Sequence, residues 1–326
     1  MPKVSVIIPV YGVEPYIERC ARSLFEQTLD DMEYIFVDDC TPDRSIEILK
    51  EVLEEYPKRE PQVIFERMSV NSGQAAVRKR GIELATGEYI IHCDSDDFVD
   101  IETYQLMYEK AKKESLDIVI CDLYKGDEDG WTIEKSKVSP TSDPIDDILL
   151  MPYGGSLCNK FVSSLIVKNS NIIHPSQDIA EDLALVTQYA VQANAIGHIA
   201  RPLYYYRMNN SSVTHKRSCQ EVKSNISQHI ENLKIAINAL EQKGLHDKYS
   251  RAILHHKLGI KNNFLQLMPH ENVTRVWRHT CHEINIQVPF SNIVKKKEKL
   301  VFFITYLGLY PFLMRFKKNA INIAHA

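Results

Sequence analysis

No C-x-x-C pair occurs in the chain: its seven cysteines (Cys20, Cys40, Cys93, Cys121, Cys158, Cys219 and Cys281) are scattered singly through 326 residues. Without paired thiols, zinc ribbons, iron-sulfur clusters and redox dithiols lack a ligand set. An odd number of isolated cysteines reads instead as reduced, mostly buried small residues of a cytosolic protein. Neither G-x-G-x-x-G nor G-K-[ST] is present, which counts against dinucleotide and P-loop sites. Charge of one sign is also scarce, with a net charge of -4 and 25% charged residues, so no global field argues for nucleic acid. No hydrophobic run reaches the roughly 20 residues that span a bilayer. The opening "MPKVSVIIPVYG" is interrupted by Pro9 and has no small-residue cleavage signal, so it reads as a first strand and no export is expected. No internal repeat is evident.

What is there is an alternation. Val4 to Pro9 is a continuous apolar strand of the kind found when both faces of a parallel sheet are covered. A helix follows with Ile17, Cys20, Ala21, Leu24 and Phe25 on one stripe. Glu33 to Asp38 reads as the second strand, and "TPDRS" as the next helix start, with Thr41 at the N-cap, Pro42 at the first position, and Ile46, Leu49 and Leu53 buried. Gln62 to Glu66 is a third strand, Gln74 to Ala85 a helix, and Glu88 to Cys93 a fourth strand. The pattern predicts an α/β fold, a Rossmann-like mainly parallel sheet with helices on both faces. Residues 125 to 147 are polar and read as an exposed excursion. Ala180 to Gln192 is helical, and beyond a boundary near Arg217 long helical patterns take over, giving domains 1–217 and 218–326.

Ligands of such sheets gather beyond the carboxyl ends of the strands, and acids stand there: Asp38 and Asp39, then Asp94, Asp96 and Asp97, then Asp122. In an extended segment Asp94 and Asp96 point the same way, and such a pair suits one hard divalent cation such as Mg2+ or Mn2+; a solvated acidic loop is the bland reading. Asp39 reads equally as an acceptor for a base or ribose and as a helix cap. "NSGQAAVRKR" offers Gly73, a helix N-terminus and Arg78 for phosphate, or else a solvated basic face. Glu181 and Asp182 open a helix, as dipole-complementing acids or as a general base. Arg207 and His215 read as surface residues or as site residues.

In order, "VSVIIPVYGVEPYIERCARSLFEQT", "YIFVDDCTPDRS", "NSGQAAVRKRGIELATGEYIIHCDSDD", "AEDLAL" and "RPLYYYRMNNSSVTH" resemble the family 2 glycosyltransferases, inverting enzymes with the GT-A fold, over roughly residues 3 to 216. The resemblance implies a nucleotide-sugar donor, most often a UDP-sugar. It implies that Pro9, Tyr11, Asp38, Asp39, Gly73, Arg78, Asp94 and Arg207 line the donor site, with Asp39 at the base. It assigns Mn2+ or Mg2+ to Asp94, Asp96 and His215, and general base work to Asp182, paired with Glu181. The acceptor would be a glycan or lipid-linked glycan hydroxyl in cell-surface polysaccharide assembly. The chain departs from the family pattern in "DCTPD", where "DGSTD" is frequent, and in "VRKR", where "ARN" is frequent.

A sugar-phosphate nucleotidyltransferase would carry a Gly-rich basic signature after the first strand, which "PVYGVEPY" lacks. An inactive nucleotide-sugar-binding subunit is disfavoured by the intact acids. Leu300 to Met314, "LVFFITYLGLYPFLM", has basic flanks; at fifteen residues with Pro311 inside it falls short of the roughly 20 needed to span a bilayer. It reads with even weight as a segment lying on a membrane surface, which would put a cytoplasmic protein on the inner face of the plasma membrane, or as a helix packed on protein, including another copy in a homo-oligomer.

Overall fold

In the computed structural model, residues 1–136, 143–150, 154–208, 219–267, 273–292 and 294–310 are described. The chain divides into two compact units, Met1–Ser212 and Val213–Ala326; the expected boundary residue Arg217 lies outside the described residues.

The first unit runs β1 (Val4–Val10), α1 (Ile17–Phe25), β2 (Met32–Asp38), α2 (Ser45–Glu54), β3 (Val63–Arg67), α3 (Gln74–Leu84), β4 (Tyr89–His92), β5 (Phe98–Val99), α4 (Thr103–Glu114), β6 (Ile118–Asp127), β7 (Gly130–Glu134), α5 (Pro144–Leu150), β8 (Lys160–Ser163), α6 (Ser164–Val167), α7 (Glu181–Gln192) and β9 (Ile196–Arg207). Its nine described strands form one sheet in the order β3-β2-β1-β4-β8-β6-β9-β5, with β7 pairing β6. Pairs β1/β2, β1/β4, β2/β3 and β6/β9 are parallel, while β8, β5 and β7 run against their neighbours. The sheet is therefore mixed, with a parallel half built by β1 to β4 and the three helices between them.

Helices cover both faces. On one, Val4, Val6 and Ile8 of β1 pack with the α1 stripe Ile17, Cys20, Ala21, Leu24 and Phe25, all buried, and with Leu49 and Tyr104. On the other, Ile7, Ile35 and Ile90 pack with Val77 and Ile82 of α3 and with Leu185, Val186 and Tyr189 of α7. Two cores explain why these strands are continuously apolar: alternate side chains enter different cores. Because β1, β2 and β3 grow outward on one side and β4 joins β1 on the other, the connections change direction between β1 and β4, the place where open α/β sheets hold ligands.

Four expectations change. Thr41 does not cap α2, which begins at Ser45; Asp43 Oδ1 accepts from the Ser45 N–H at 3.2 Å and from the Ser45 and Thr41 hydroxyls, so the aspartate makes the turn. Ile46 is only partly buried, and Val52 joins Leu49 and Leu53 inside. The polar excursion contains structure: β6 continues to Asp127 and folds back as β7, and α5 follows. Asp122 consequently sits within β6 at a register shift, accepting from the Ser136 N–H at 2.8 Å and facing His198 Nε2 at 2.7 Å, rather than ending a strand at the crevice.

The second unit is helical: α8 (Cys219–Gln242), α9 (Ser250–Asn263), α10 (Val273–His279), α11 (Ile284–Phe290) and α12 (Lys296–Tyr306). Its core includes Leu233, Leu254, Leu258, Trp277 and Phe302. Buried Lys261 donates to the Thr280 carbonyl at 2.7 Å and to Asn285 Oδ1 at 2.9 Å, with its Nζ 4.3 Å from the Trp277 ring centroid; burial lowers its pKa to about 8.

Candidate active site

The acids after β4 are brought together by a turn. Asp97 N–H donates to the Asp94 carbonyl at 3.0 Å, so residues 94 to 97 reverse tightly instead of continuing as the extended pair expected from the spacing. Asp97 anchors this turn to β9, accepting from the Tyr204 hydroxyl at 2.6 Å and from the Arg207 N–H at 2.7 Å. Tyr204 oxygen in turn accepts the Asp94 N–H at 3.1 Å. One of the three carboxylates is thus spent on holding the turn.

Asp94 and Asp96 differ from it. Asp94 Oδ1 accepts from Arg78 Nη2 at 2.8 Å. Asp96 is half-buried and meets no cation at bonding distance among the described residues. Burial, followed by the charge of Asp94, pushes its pKa up to about 6, against the attraction of Arg207.

Glu181 and Asp182 begin α7 behind Ala180, which adopts the left-handed conformation at φ 65. Arg78 on α3 reaches them from below: its Nε lies 3.3 Å from Glu181 Oε1, and the side chain is 4% exposed. One guanidinium therefore ties the acid turn to the α7 acids. Burial and Asp182 raise the Glu181 pKa against the pull of Arg78, and burial likewise raises that of Asp182. Two acids so placed hold a proton between them more readily than either would alone.

The residues expected on the nucleotide side cluster at the ends of β1 and β2. Tyr11 is 52% exposed beside the end of β1, and Pro9 pairs with Val37 within the sheet. Asp38 accepts from the Thr41 N–H at 2.7 Å. Asp39 is buried, and its two oxygens accept from the Ser72 and Gly73 N–H groups at 2.7 and 3.0 Å, so it clamps the loop leading to α3. Gly73, at φ +83, has no room for a side chain: a Cβ would lie 2.4 Å from Asp178 Oδ2. Asp178 in turn accepts the Ala75 N–H at 2.8 Å, capping α3 from just before the α7 acids.

Arg207, expected at the donor phosphates, ends β9 at the Asp97 turn; its Nη2 pairs with exposed Glu128 at 2.6 Å and its guanidinium stacks 4.8 Å from the Tyr16 ring centroid. His215 lies outside the described residues. The sequence reading assigned no role to Lys160, which is buried, donates to Asn159 Oδ1 at 2.7 Å and has its pKa lowered to about 8 by burial, an effect that Cys158 and Asp182 oppose. It also passed over Tyr204 and Asp178. A lysine and a tyrosine inside otherwise apolar strands were the available signals, since such polar groups need a partner when buried.

Residues 5–162 match the family model described as "Glycosyl transferase family 2". That stretch is a domain of this family. Among curated proteins similar to this chain, an "Uncharacterized glycosyltransferase EpsJ" of Bacillus subtilis is 43% identical over 40% of this chain and 37% of its own length. A "Poly(ribitol-phosphate) beta-glucosyltransferase" of Bacillus spizizenii is 33% identical over 63% of this chain and 32% of its own. The chain thus spans about a third of the length of each of these relatives.

Among solved structures, Staphylococcus aureus TarS residues 1–349 in complex with UDP superposes with a TM-score of 0.63 at 19% identity, covering 94% of this chain and 88% of that one. The mannosyltransferase PcManGT of Pyrobaculum calidifontis, in complex with GDP-Man and Mn2+, gives 0.55 at 13%, covering 96% and 86%. The fold is GT-A.

Proposed function

We propose that the chain is an inverting, metal-dependent glycosyltransferase that moves a sugar from a nucleotide donor, a UDP-sugar, to a hydroxyl of a glycan or lipid-linked glycan during cell-surface polysaccharide assembly. The observation that carries the reading is the convergence of Asp94, Asp96, Glu181 and Asp182 where the sheet reverses its winding, two of them joined through Arg78. The UDP named with TarS and the polyol phosphate named with the Bacillus relative support the donor and the acceptor class. Donor and acceptor of this kind would meet on the cytoplasmic side.

In the proposed reaction Asp182 takes the proton from the acceptor hydroxyl as its oxygen bonds to the anomeric carbon, and the bond to the nucleoside diphosphate breaks on the opposite face. The displacement inverts that carbon. Burial raises the pKa of both Glu181 and Asp182, and in this proposal Asp182 is the member of the pair that accepts the proton. Asp39 and the Ser72–Gly73 loop shape the base side, and Arg207 meets the departing diphosphate.

The residues fit a divalent cation in one respect: Asp96 is a half-buried carboxylate beside another carboxylate with no bonded cation. Among the described residues no three His, Cys, Asp or Glu side chains form a complete set, so Asp94 and Asp96 would hold Mn2+ or Mg2+ together with His215 and the donor's own phosphate oxygens. When bound, the ion would neutralise charge growing on the diphosphate.

Calorimetric titration of UDP, GDP, CDP and ADP, with and without Mn2+, tests this. UDP should bind only with Mn2+, and the Asp96→Asn variant should lose that binding. Absence of nucleotide binding under every condition would sink the reading, and preference for GDP would move the donor to a GDP-sugar.

A further inference from the structure

Helices α11 and α12 bear apolar side chains on two opposite faces. On α11, Ile284 and Val288 are buried, whereas Ile286 and Phe290, also four residues apart, are 77% and 83% exposed. On α12, Phe302 packs 5.1 Å from the Trp277 ring and Thr305 is buried with it, whereas Leu300, Phe303 and Leu307 follow each other at helical spacing and are 59%, 45% and 65% exposed. One apolar face is enough to seat a helix on a core. Lys299 Nζ donates to the Pro289 carbonyl at 3.0 Å, holding the start of α12 against the end of α11.

The charge around these faces has one sign. Lys295, Lys296 and Lys297 are exposed at the start of α12. From Ile284 to Tyr310 there are four lysines and a single acid, Glu298, and that carboxylate is turned back onto the Lys295 N–H at 3.0 Å. A second copy seated here about a two-fold axis would bring the same lysines face to face. An anionic surface offers the complementary charge.

We propose that α11 and α12 form a docking surface for an anionic lipid bilayer. Phe290, Leu300, Phe303 and Leu307 enter the interfacial layer, and Lys295 to Lys297 meet the headgroups. No helix among the described residues is long and apolar enough to cross a membrane, so the contact is made by lying on it.

Flotation of the full chain with phosphatidylcholine vesicles, with and without phosphatidylglycerol, reads this without any nucleotide present, so it stands or falls separately from the proposed catalysis. Binding should require phosphatidylglycerol and weaken as salt rises. At about fivefold per lysine, Lys295→Gln with Lys296→Gln and Lys297→Gln should weaken it on the order of a hundredfold. Phe290→Ser with Leu300→Ser, both at exposed positions, should lower it at least as visibly while circular dichroism stays unchanged. The proposal is overturned by absence of binding to anionic vesicles, by equal binding to neutral ones, or by a self-association in ultracentrifugation that the Phe290→Ser/Leu300→Ser variant abolishes.

Discussion

Arg78 shows how one side chain can serve two segments: Nη2 hydrogen-bonds to Asp94, Nε forms an ion pair with Glu181, and neither Nε nor Nη1 makes a hydrogen bond among the described residues. Removing a partner from a buried ion pair leaves uncompensated charge and costs about 3–5 kcal/mol. Arg78→Gln should therefore lose stability of that order in urea unfolding, and Arg78→Lys, which keeps the charge without the fork, should lose less. The same site sets a pH dependence. Glu181 has its pKa raised in the fold, so between the ordinary value near 4.5 and its own the native state binds more protons than the unfolded one. Stability then falls as pH rises through that window. His92, buried and without a partner on either ring nitrogen, has its pKa lowered by burial and Arg78 and acts in the opposite sense below 6.5. Lys160 acts above about 8. Urea midpoints taken without divalent metal should therefore decline from pH 6.5 to 8, and Glu181→Gln should flatten the decline.

Helix α3 is held at three points, and each binds it to a segment far away in the chain. Gly81 lies on β1 so closely that a Cβ would come 2.3 Å from Ile7 Cγ2. Asp178 caps its first turn and Asp39 clamps the loop before it. Gly81→Ala should overpack this contact and cost about 1–3 kcal/mol, read as a lowered urea midpoint. Periodicity revealed α1, α3 and β1 to β4 because a helix or a doubly covered strand writes its burial locally. Strands β5, β7 and β8 were not legible: β5 has only two residues, and the place of all three depends on antiparallel partners. Asp39 could be read equally as ligand or cap, and its actual partners, Ser72 and Gly73, lie more than thirty residues away.

Each unit of the molecule contains one of the two tryptophans: Trp131 beside Phe98 and Tyr205 in the first, Trp277 against Phe302 in the second. Single-tryptophan variants, Trp277→Phe and Trp131→Phe, can therefore follow each unit by fluorescence. If the donor binds as proposed, UDP with Mn2+ at about 100 times its dissociation constant should stabilise the Trp131-reported transition by about 2.7 kcal/mol. A shift confined to the Trp277 signal would place nucleotide binding in the wrong unit.

The sequence by itself determined the alternating α/β order, the helical second unit and the residues at the strand ends, because hydrophobic period and motif spacing are properties of neighbouring positions. Tertiary structure decided how those acids are used. Asp97 became the anchor of its turn through Tyr204, Asp122 was drawn into a strand by His198, Asp39 was spent on a loop, and Asp96 was left without a bonded cation. It also decided that α12 seats one apolar face on Trp277 and exposes the other. These outcomes rest on contacts between residues tens to more than a hundred positions apart, and the charge balance of a buried group is fixed only when the fold brings its partners within reach.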